Sequence, residues 1–370
     1  MRRVIKWLII ALITSGFIAL VILILIKAVP KPPLGDIEYA METLSMAGSS
    51  KAGTYSKKLY TESREAFDSA MAIWEKENER FIFFRDYEKV STFARLSAKK
   101  AKMAAESSIS NSSNLRIKLK EKIDTLNHTA YLIDQLFGRY PMQSEIRSRI
   151  SKGKMLLKEG EVSYGKGQYL TANRKVTDAD YLLTGVYSNV TEEVRSYFKS
   201  YPEWKRWVQS AISDSRKNNS YCVIVDKFSR KCYLYLGGVK KYEFEAELGR
   251  NWVGDKQKSG DKATPEGNYK IVRKYQGRET PYHKALSLDY PNAEDKERFR
   301  QAVAKGILPA SSRIGGGIEI HGGGGKGVDW TEGCIALTNS EIDLVYNLIK
   351  VGTPVTIVGS IKTIDEILVN

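Results

Sequence analysis

From Trp7 to Ile26 the chain runs 20 residues without a charge, about the length a helix needs to cross the hydrocarbon core of a bilayer. Lys27 to Gly35 then carries three prolines and predicts an extended spacer. Beyond it, apolar and small residues recur at three-and-four spacing to about Asp214, which predicts helices. One stripe is Leu59, Ser63, Ala66, Ala70 and Ile73, and a second is Tyr87, Val90, Ala94, Ala98, Ala101 and Ala105. Small residues along the second stripe let helix axes approach closely. A third stripe of larger residues, Leu115, Leu119, Ile123, Leu126, Ala130, Ile133 and Phe137, follows the polar run Ser107 to Asn114, which is expected to break the helix. Antiparallel bundle helices are the simplest arrangement of these stripes.

Ile150 to Tyr187 places Gly160, Tyr164, Gly167, Tyr169 and Ala172 at a spacing loosely similar to a tetratricopeptide helical pair. Two uses of the helical region therefore stand: a plain bundle serving as spacer or self-association surface, and a protein-binding solenoid. After the polar segment Arg216 to Ser220, read as a linker, the period changes to two. β-rich runs occupy Tyr221 to Leu236, Tyr242 to Leu248, Asn268 to Arg273, Gly317 to Ile320 and Pro354 to Val358. Thr338-Asn339-Ser340-Glu341 reads as a capping box opening a helix to about Lys350. The expected fold class is α+β multidomain: a cytoplasmic tip and transmembrane helix (1–28), a Pro-rich spacer (29–35), an all-α helical domain (36–215), a mostly β domain (221–360) and a C-terminal tail (361–370).

Charge sets the topology. Arg2, Arg3 and Lys6 precede the apolar run, so the positive-inside rule holds the N-terminus in the cytoplasm and sends the remainder across. A cleaved signal peptide is the rival, but Lys27-Ala28-Val29-Pro30 lacks a small-x-small cleavage site and the run exceeds a usual signal core, so an uncleaved anchor is expected. With 58 Lys and Arg against 43 Asp and Glu, the net charge is +15. Outside the cytoplasm nucleic acid is not the partner; a carboxylate-rich wall is one counter-surface, and plain solubility explains the charge equally. Three cysteines imply no disulfide framework. A hairpin pairing Asp226 with Lys231 sets Cys222 opposite Tyr235 and turns Cys232 to the other face, so both read as core residues. Only Cys334 then needs a chemical explanation.

That cysteine closes the stretch Gly317-Ile-Glu-Ile-His321-Gly-Gly-Gly-Gly-Lys-Gly-Val-Asp-Trp330-Thr-Glu-Gly-Cys334. A strand delivers His321 to its end, a glycine-rich loop expected to be unusually flexible follows, and a turn presents Cys334 after Gly333. A free thiol is only a few per cent thiolate at neutral pH, and a neighbouring imidazole activates it and returns the proton to the leaving amine. A backbone carbonyl can fix the imidazole tautomer, and the amides of Gly333 and Cys334 are candidates to hold the oxyanion. The cysteine and histidine spacings match no zinc site, and the glycine run lacks the Gly-Lys-Ser/Thr ending of a phosphate loop, so neither metal nor cofactor is expected.

His321-Gly322 followed by Thr331-x-Gly333-Cys334-Ile335 resembles the signature of the L,D-transpeptidase (YkuD-type) catalytic domain. Val225-Asp226-Lys227, Leu234-Tyr235-Leu236, Glu247-Leu248-Gly249, the run Gly260 to Tyr269 with its Thr264-Pro265-Glu266-Gly267, and Tyr290-Pro291 are similar to that family as well. The resemblance covers roughly Tyr221 to Gly359. It implies a metal-free enzyme with Cys334 as nucleophile, His321 as base and the Gly322 carbonyl orienting the imidazole. Such enzymes attack the third residue of a peptidoglycan stem peptide, release the D-alanine after it and pass the acyl group to an amine, on a stem peptide or a wall-attached protein. The anchored chain would sit in a bacterial cytoplasmic membrane with this domain in the periplasm or extracytoplasmic space. Arg278, Tyr282, His283, Arg313, Trp330 and Thr331 are the expected substrate-binding residues, and Asp329 or Glu332 could steer the substrate amine. One departure is Ala336, where most members carry Arg. It keeps open an amidase or carboxypeptidase using water, and a non-enzymatic scaffold working through the helical domain stands as a third reading.

Overall fold

The computed structural model describes residues 2–138 and 140–368. The apolar run forms α1 (Arg2–Ala28), whose two hydroxyl residues, Thr14 and Ser15, donate hydrogen bonds to the carbonyls of Ile10, Ala11 and Leu12 in the preceding turn. It is long and apolar enough to cross a membrane. The chain divides into two compact units, 1–123 with 161–173, and 124–160 with 174–370.

In the first unit α2 (Leu34–Ser49), a single turn α3 (Ala52–Tyr55), α4 (Lys57–Glu79) and the start of α5 (Glu88–Phe137) pack through the predicted stripes. One layer joins Ile37 and Ala40 of α2 to Ala70 of α4 and Val90, Ala94 and Ala98 of α5; the next joins Ala47, Ala52, Ala101, Ala104 and Ala105. Ser107 to Asn114 does not break the helix: α5 runs through it unbroken for 50 residues. The segment holds no Gly or Pro, serine and asparagine cost only a few tenths of a kcal/mol each in a helix, and two of its side chains are used in packing. Ser108 Oγ donates to Ser50 O at 2.6 Å and Asn111 Nδ2 to Tyr55 O at 2.9 Å.

The helical pair read around Gly160 and Gly167 forms as α6 (Ser144–Gly165) and α7 (Tyr169–Tyr197). Gly160 lets the two approach, since a Cβ there would stand 2.7 Å from Val176 Cγ2. The segment read as a linker is instead mostly the end of α8 (Tyr201–Asn218), whose last turn places Arg216 and Lys217 where the helix dipole favours cations. Asn219, at φ 45°, ends it.

The sheet comprises β1 (Tyr221–Asp226), β2 (Lys231–Leu236), β3 (Val239–Glu245), β4 (Gly267–Gln276), β5 (Lys284–Leu288), β6 (Glu319–His321), β7 (Ile335–Ala336) and β8 (Pro354–Val358), in the order β3-β2-β1-β8-β4-β5-β6-β7. The predicted hairpin register holds, with Asp226 against Lys231 and Cys222 against Tyr235, and both cysteines are buried thiols. β5, β7 and a helix α9 (Ala293–Ala304), opened by an Asn292/Asp295 capping box, are additions to the predicted elements. The predicted capping box at Thr338/Glu341 opens α10 (Asn339–Leu348). After β8 the described residues close with α11 (Ile364–Leu368), with Ile361, Ile364 and Ile367 packed on the core.

That core is shared between sheet and helices. Val223, Val225, Ile271 and Ile357 of the sheet join one cluster with Val190, Val194, Phe198 and Trp204. Beneath them Lys227, fully buried, donates to Glu266 Oε1 at 2.8 Å and to the carbonyls of Gly254 and Thr264. Glu266 also accepts from Tyr197 at 2.6 Å and Trp204 Nε1 at 3.0 Å, so the charge pair is fully hydrogen-bonded out of water.

Candidate active site

β6 and β7 run parallel, pairing Ile320 with Ile335 and His321 with Ala336. Carried back one residue, this register sets Cys334 beside Glu319, so Cys334, Glu319 and His321 share one face. Two residues along and one strand across puts the Cα atoms of His321 and Cys334 roughly 8 Å apart. The histidine and cysteine, 13 positions apart in sequence, thus become diagonal neighbours.

His321 is fully buried. Its Nδ1 lies 2.7 Å from Gly322 O, an acceptor only, so that nitrogen carries the proton and Nε2 keeps its lone pair. Nε2 is buried and finds no hydrogen-bond partner among the described residues. The Tyr282 ring stacks on the imidazole at 3.6 Å between centroids, and Trp330 meets it edge-on at 5.9 Å. Burial, helped by Lys326, pushes the imidazole below its ordinary value against the pull of the Gly322 carbonyl, so it rests neutral.

Cys334 is half-buried with Sγ 3.5 Å from Gly317 O. Burial and the Glu319 carboxylate push its thiol up to about 11, opposed by the Glu319 amide and Lys256. The Glu319 carboxyl is itself raised by burial. At rest the site therefore holds a thiol and a neutral imidazole, not an ion pair.

Thr331 shapes the turn before the cysteine: its hydroxyl donates to Cys334 O at 2.7 Å and accepts from Gly333 N at 3.2 Å. One of the two amides expected to face an oxyanion is therefore turned to Thr331. Gly333 is required by space, since at φ +131° a Cβ would stand 2.6 Å from Ala263 O.

The glycine-rich loop is not the flexible segment expected. Gly322 N donates to Lys284 O, Gly323 N to Asn339 Oδ1, Gly324 N to Leu337 O and Gly327 N to Glu247 Oε1. Glu247 also accepts from Trp330 Nε1 at 2.7 Å, and its backbone pairs with Ala336 in both directions. It fastens the loop to the strand after Cys334, with Lys326 lying 3.3 Å from the centre of the Trp330 ring. Asp329 is bound to Arg230 at 2.8 Å and to Leu248 N at 3.0 Å, so it braces the loop and does not reach for a substrate amine. Glu332 is exposed, 3.7 Å from Lys262.

Of the expected residues, the structure brings together Cys334, His321, Gly322, Gly333, Tyr282, Trp330 and Thr331. His283 is tied to Asp343 of α10 at 2.9 Å, together with Lys284. Arg278 and Arg313 are exposed, with no side-chain partner among the described residues. Glu247 and Glu319 were not singled out from sequence. Alternation along the strand places Glu319 on the face of His321 and could have found it; Glu247 stands in the family-like run Glu247-Leu248-Gly249, but nothing local marks its contacts with the glycine-rich loop.

Residues 220–357 match the family model of the L,D-transpeptidase catalytic domain. This segment is similar to the YkuD domain family. Over 98 residues the chain is 31% identical to YafK of Escherichia coli (strain K12), provisionally described as an L,D-transpeptidase; the match covers 26% of this chain. The chain thus spans about a third of the length of the curated relatives it matches, 32% of YafK. Among solved structures, Bd1075 of Bdellovibrio bacteriovorus is 25% identical with a TM-score of 0.31, covering 41% of this chain and 53% of that one. An L,D-transpeptidase of Mycobacterium smegmatis is 13% identical with a TM-score of 0.25, covering 38% and 58%. His321, Cys334 and Glu247 all lie inside the YkuD match, whereas Trp204 and Tyr197, which reach its buried Glu266, lie outside it.

Proposed function

We propose that the YkuD domain is a cysteine acyltransferase acting on peptidoglycan stem peptides, held outside the cytoplasmic membrane by α1. The observation that carries the reading is the orphaned Nε2 of a tautomer-locked, neutral His321 on the same sheet face as Cys334. Nε2 takes the thiol proton as sulfur attacks the carbonyl of the third stem residue, and the Cys334 amide supports the developing oxyanion. Collapse gives a thioester and, with the proton returned, expels D-alanine. His321 then deprotonates the incoming amine, which takes the acyl group and frees the thiol.

Ala336 favours a second reading on the same site. Its side chain is buried and its backbone is bonded to Glu247 on both sides, so no guanidinium stands at this position, and water could replace the amine. Incubation of the full chain with a carbapenem, followed by intact mass, should give one adduct that Cys334→Ala abolishes and His321→Ala slows by roughly 100-fold or more. An adduct that survives Cys334→Ala would sink the assignment. Products from labelled wall fragments, 3-3 crosslinks or trimmed stems, separate amine from water; a Cys334→Ala chain that complements a deletion fully would favour a scaffold.

A further inference from the structure

In the first unit α2 and α5 run in one direction and α4 in the other, because Ile37 and Ala40 share a layer with Ala70 and Val90, while Ala47 shares the next with Ala52 and Ala101. The turn between α4 and α5, residues 80–87, therefore lies at the end where α2 begins. Asp36 marks that end, accepting from Ser91 and, at 3.1 Å, from Arg95 near the start of α5. Only Val29 to Pro33 separate α2 from the apolar α1, a link of at most ~18 Å.

This turn reads Arg80-Phe-Ile-Phe-Phe-Arg85 and carries its apolar side chains outward. Phe81 is 66% exposed, Ile82 40% and Phe84 68%, and the Phe81 ring touches those of Phe83 and Phe84 at 5.8 and 5.9 Å. The backbone beneath is fastened. Arg85 donates to the carbonyls of Asn78 and Arg80, Glu77 accepts from Asp86 N and Arg80, and Tyr87 donates to Asn78. A rigid turn that holds an aromatic cluster out in the open, between two arginines, has the composition of a bilayer interface.

We propose that residues 80–85 form a second membrane contact: the aromatic cluster enters the headgroup region of the leaflet that α1 leaves, with Arg80 and Lys31 close to lipid phosphates. The inference rests on the reading of α1 as an anchor. Two attachments, a span and a wedge at the base of the bundle, would hold α2, α4 and α5 against rotation about the short link. The lipid surface is favoured over a second copy of the chain because the turn shares its end of the bundle with the link to α1.

The test reconstitutes the full chain, in a Cys334→Ser background with Cys222 and Cys232 buried, into phosphatidylethanolamine/phosphatidylglycerol vesicles. Nitroxide labels go on single cysteines introduced by Phe84→Cys, Leu20→Cys and Lys57→Cys, the last at the far end of α4, and accessibility to oxygen is compared with that to a water-soluble nickel chelate. The Leu20 label should be lipid-buried, and the Phe84 label should show an oxygen-to-nickel ratio several times that of Lys57. A Phe84 label as wet as Lys57, with Leu20 in lipid, overturns the second contact and leaves the anchor standing. A wet Leu20 label overturns the anchor and the inference with it. Spin–spin broadening between Phe84 labels on different chains, with the labels open to nickel, overturns it in favour of self-association.

Discussion

The Cys334 thiol and the His321 imidazole both stand uncharged, and their surroundings set this. Removing water from the Cys334 sulfur and placing Glu319 next to it both disfavour thiolate, while burial and Lys326 disfavour imidazolium. The direction of both shifts gives a test: iodoacetamide alkylation of Cys334 should climb with pH toward a midpoint near 11, without the plateau at neutral pH that a thiolate–imidazolium pair produces. Glu319→Gln removes a negative neighbour and should move that midpoint down, raising alkylation at mildly alkaline pH by roughly three- to tenfold. A neutral-pH plateau in the unaltered chain would contradict the resting state described here. His321, Cys334 and Gly333 were legible because their chemistry is carried by residue type and order. The bracing role of Glu247 was not, since its two bonds to the glycine-rich loop and Trp330 span 80 or more positions.

At the scale of elements, period and caps read well where the chain decides locally. The hairpin register and the Thr338 capping box follow from neighbours in sequence, and so does β8. The differences share a cause: a polar run predicts a break and a glycine run predicts flexibility, but distant partners hold both in place. Ser108 and Asn111 bond to Ser50 and Tyr55, and the glycine-rich loop is held by Lys284, Asn339, Leu337 and Glu247. The same dependence on remote partners makes Lys227 critical. Lys227→Met strands the Glu266 carboxylate in the core and should cost about 3–5 kcal/mol, read as a lowered urea midpoint, whereas Lys227→Met with Glu266→Gln should recover part of it. A loss under about 1 kcal/mol in the single variant would show that water reaches the pair.

For the molecule as a whole, the unit that contains the site is larger than the region of β pattern. A chain starting at Tyr221 lacks Val190, Val194, Phe198 and Trp204, which are buried in the same cluster as the sheet, and leaves Glu266 without two donors. Truncating a buried aromatic side chain of this size costs about 3–5 kcal/mol, comparable to much of a domain's net stability. A 221–370 fragment is therefore expected to show no cooperative thermal transition by circular dichroism, and 124–370 to melt as one unit; equal melting of the two would disprove the shared core. Sequence alone determined the apolar span, the helical and β periods, and the pairing of a histidine with a cysteine, because each is written in residue type at short range. The tertiary structure decided which nitrogen of His321 keeps its lone pair, that the Gly333 amide is turned to Thr331, what holds the glycine-rich loop, and that helices far upstream complete the core of the sheet. Those depend on contacts between residues distant in the chain, which no local pattern encodes.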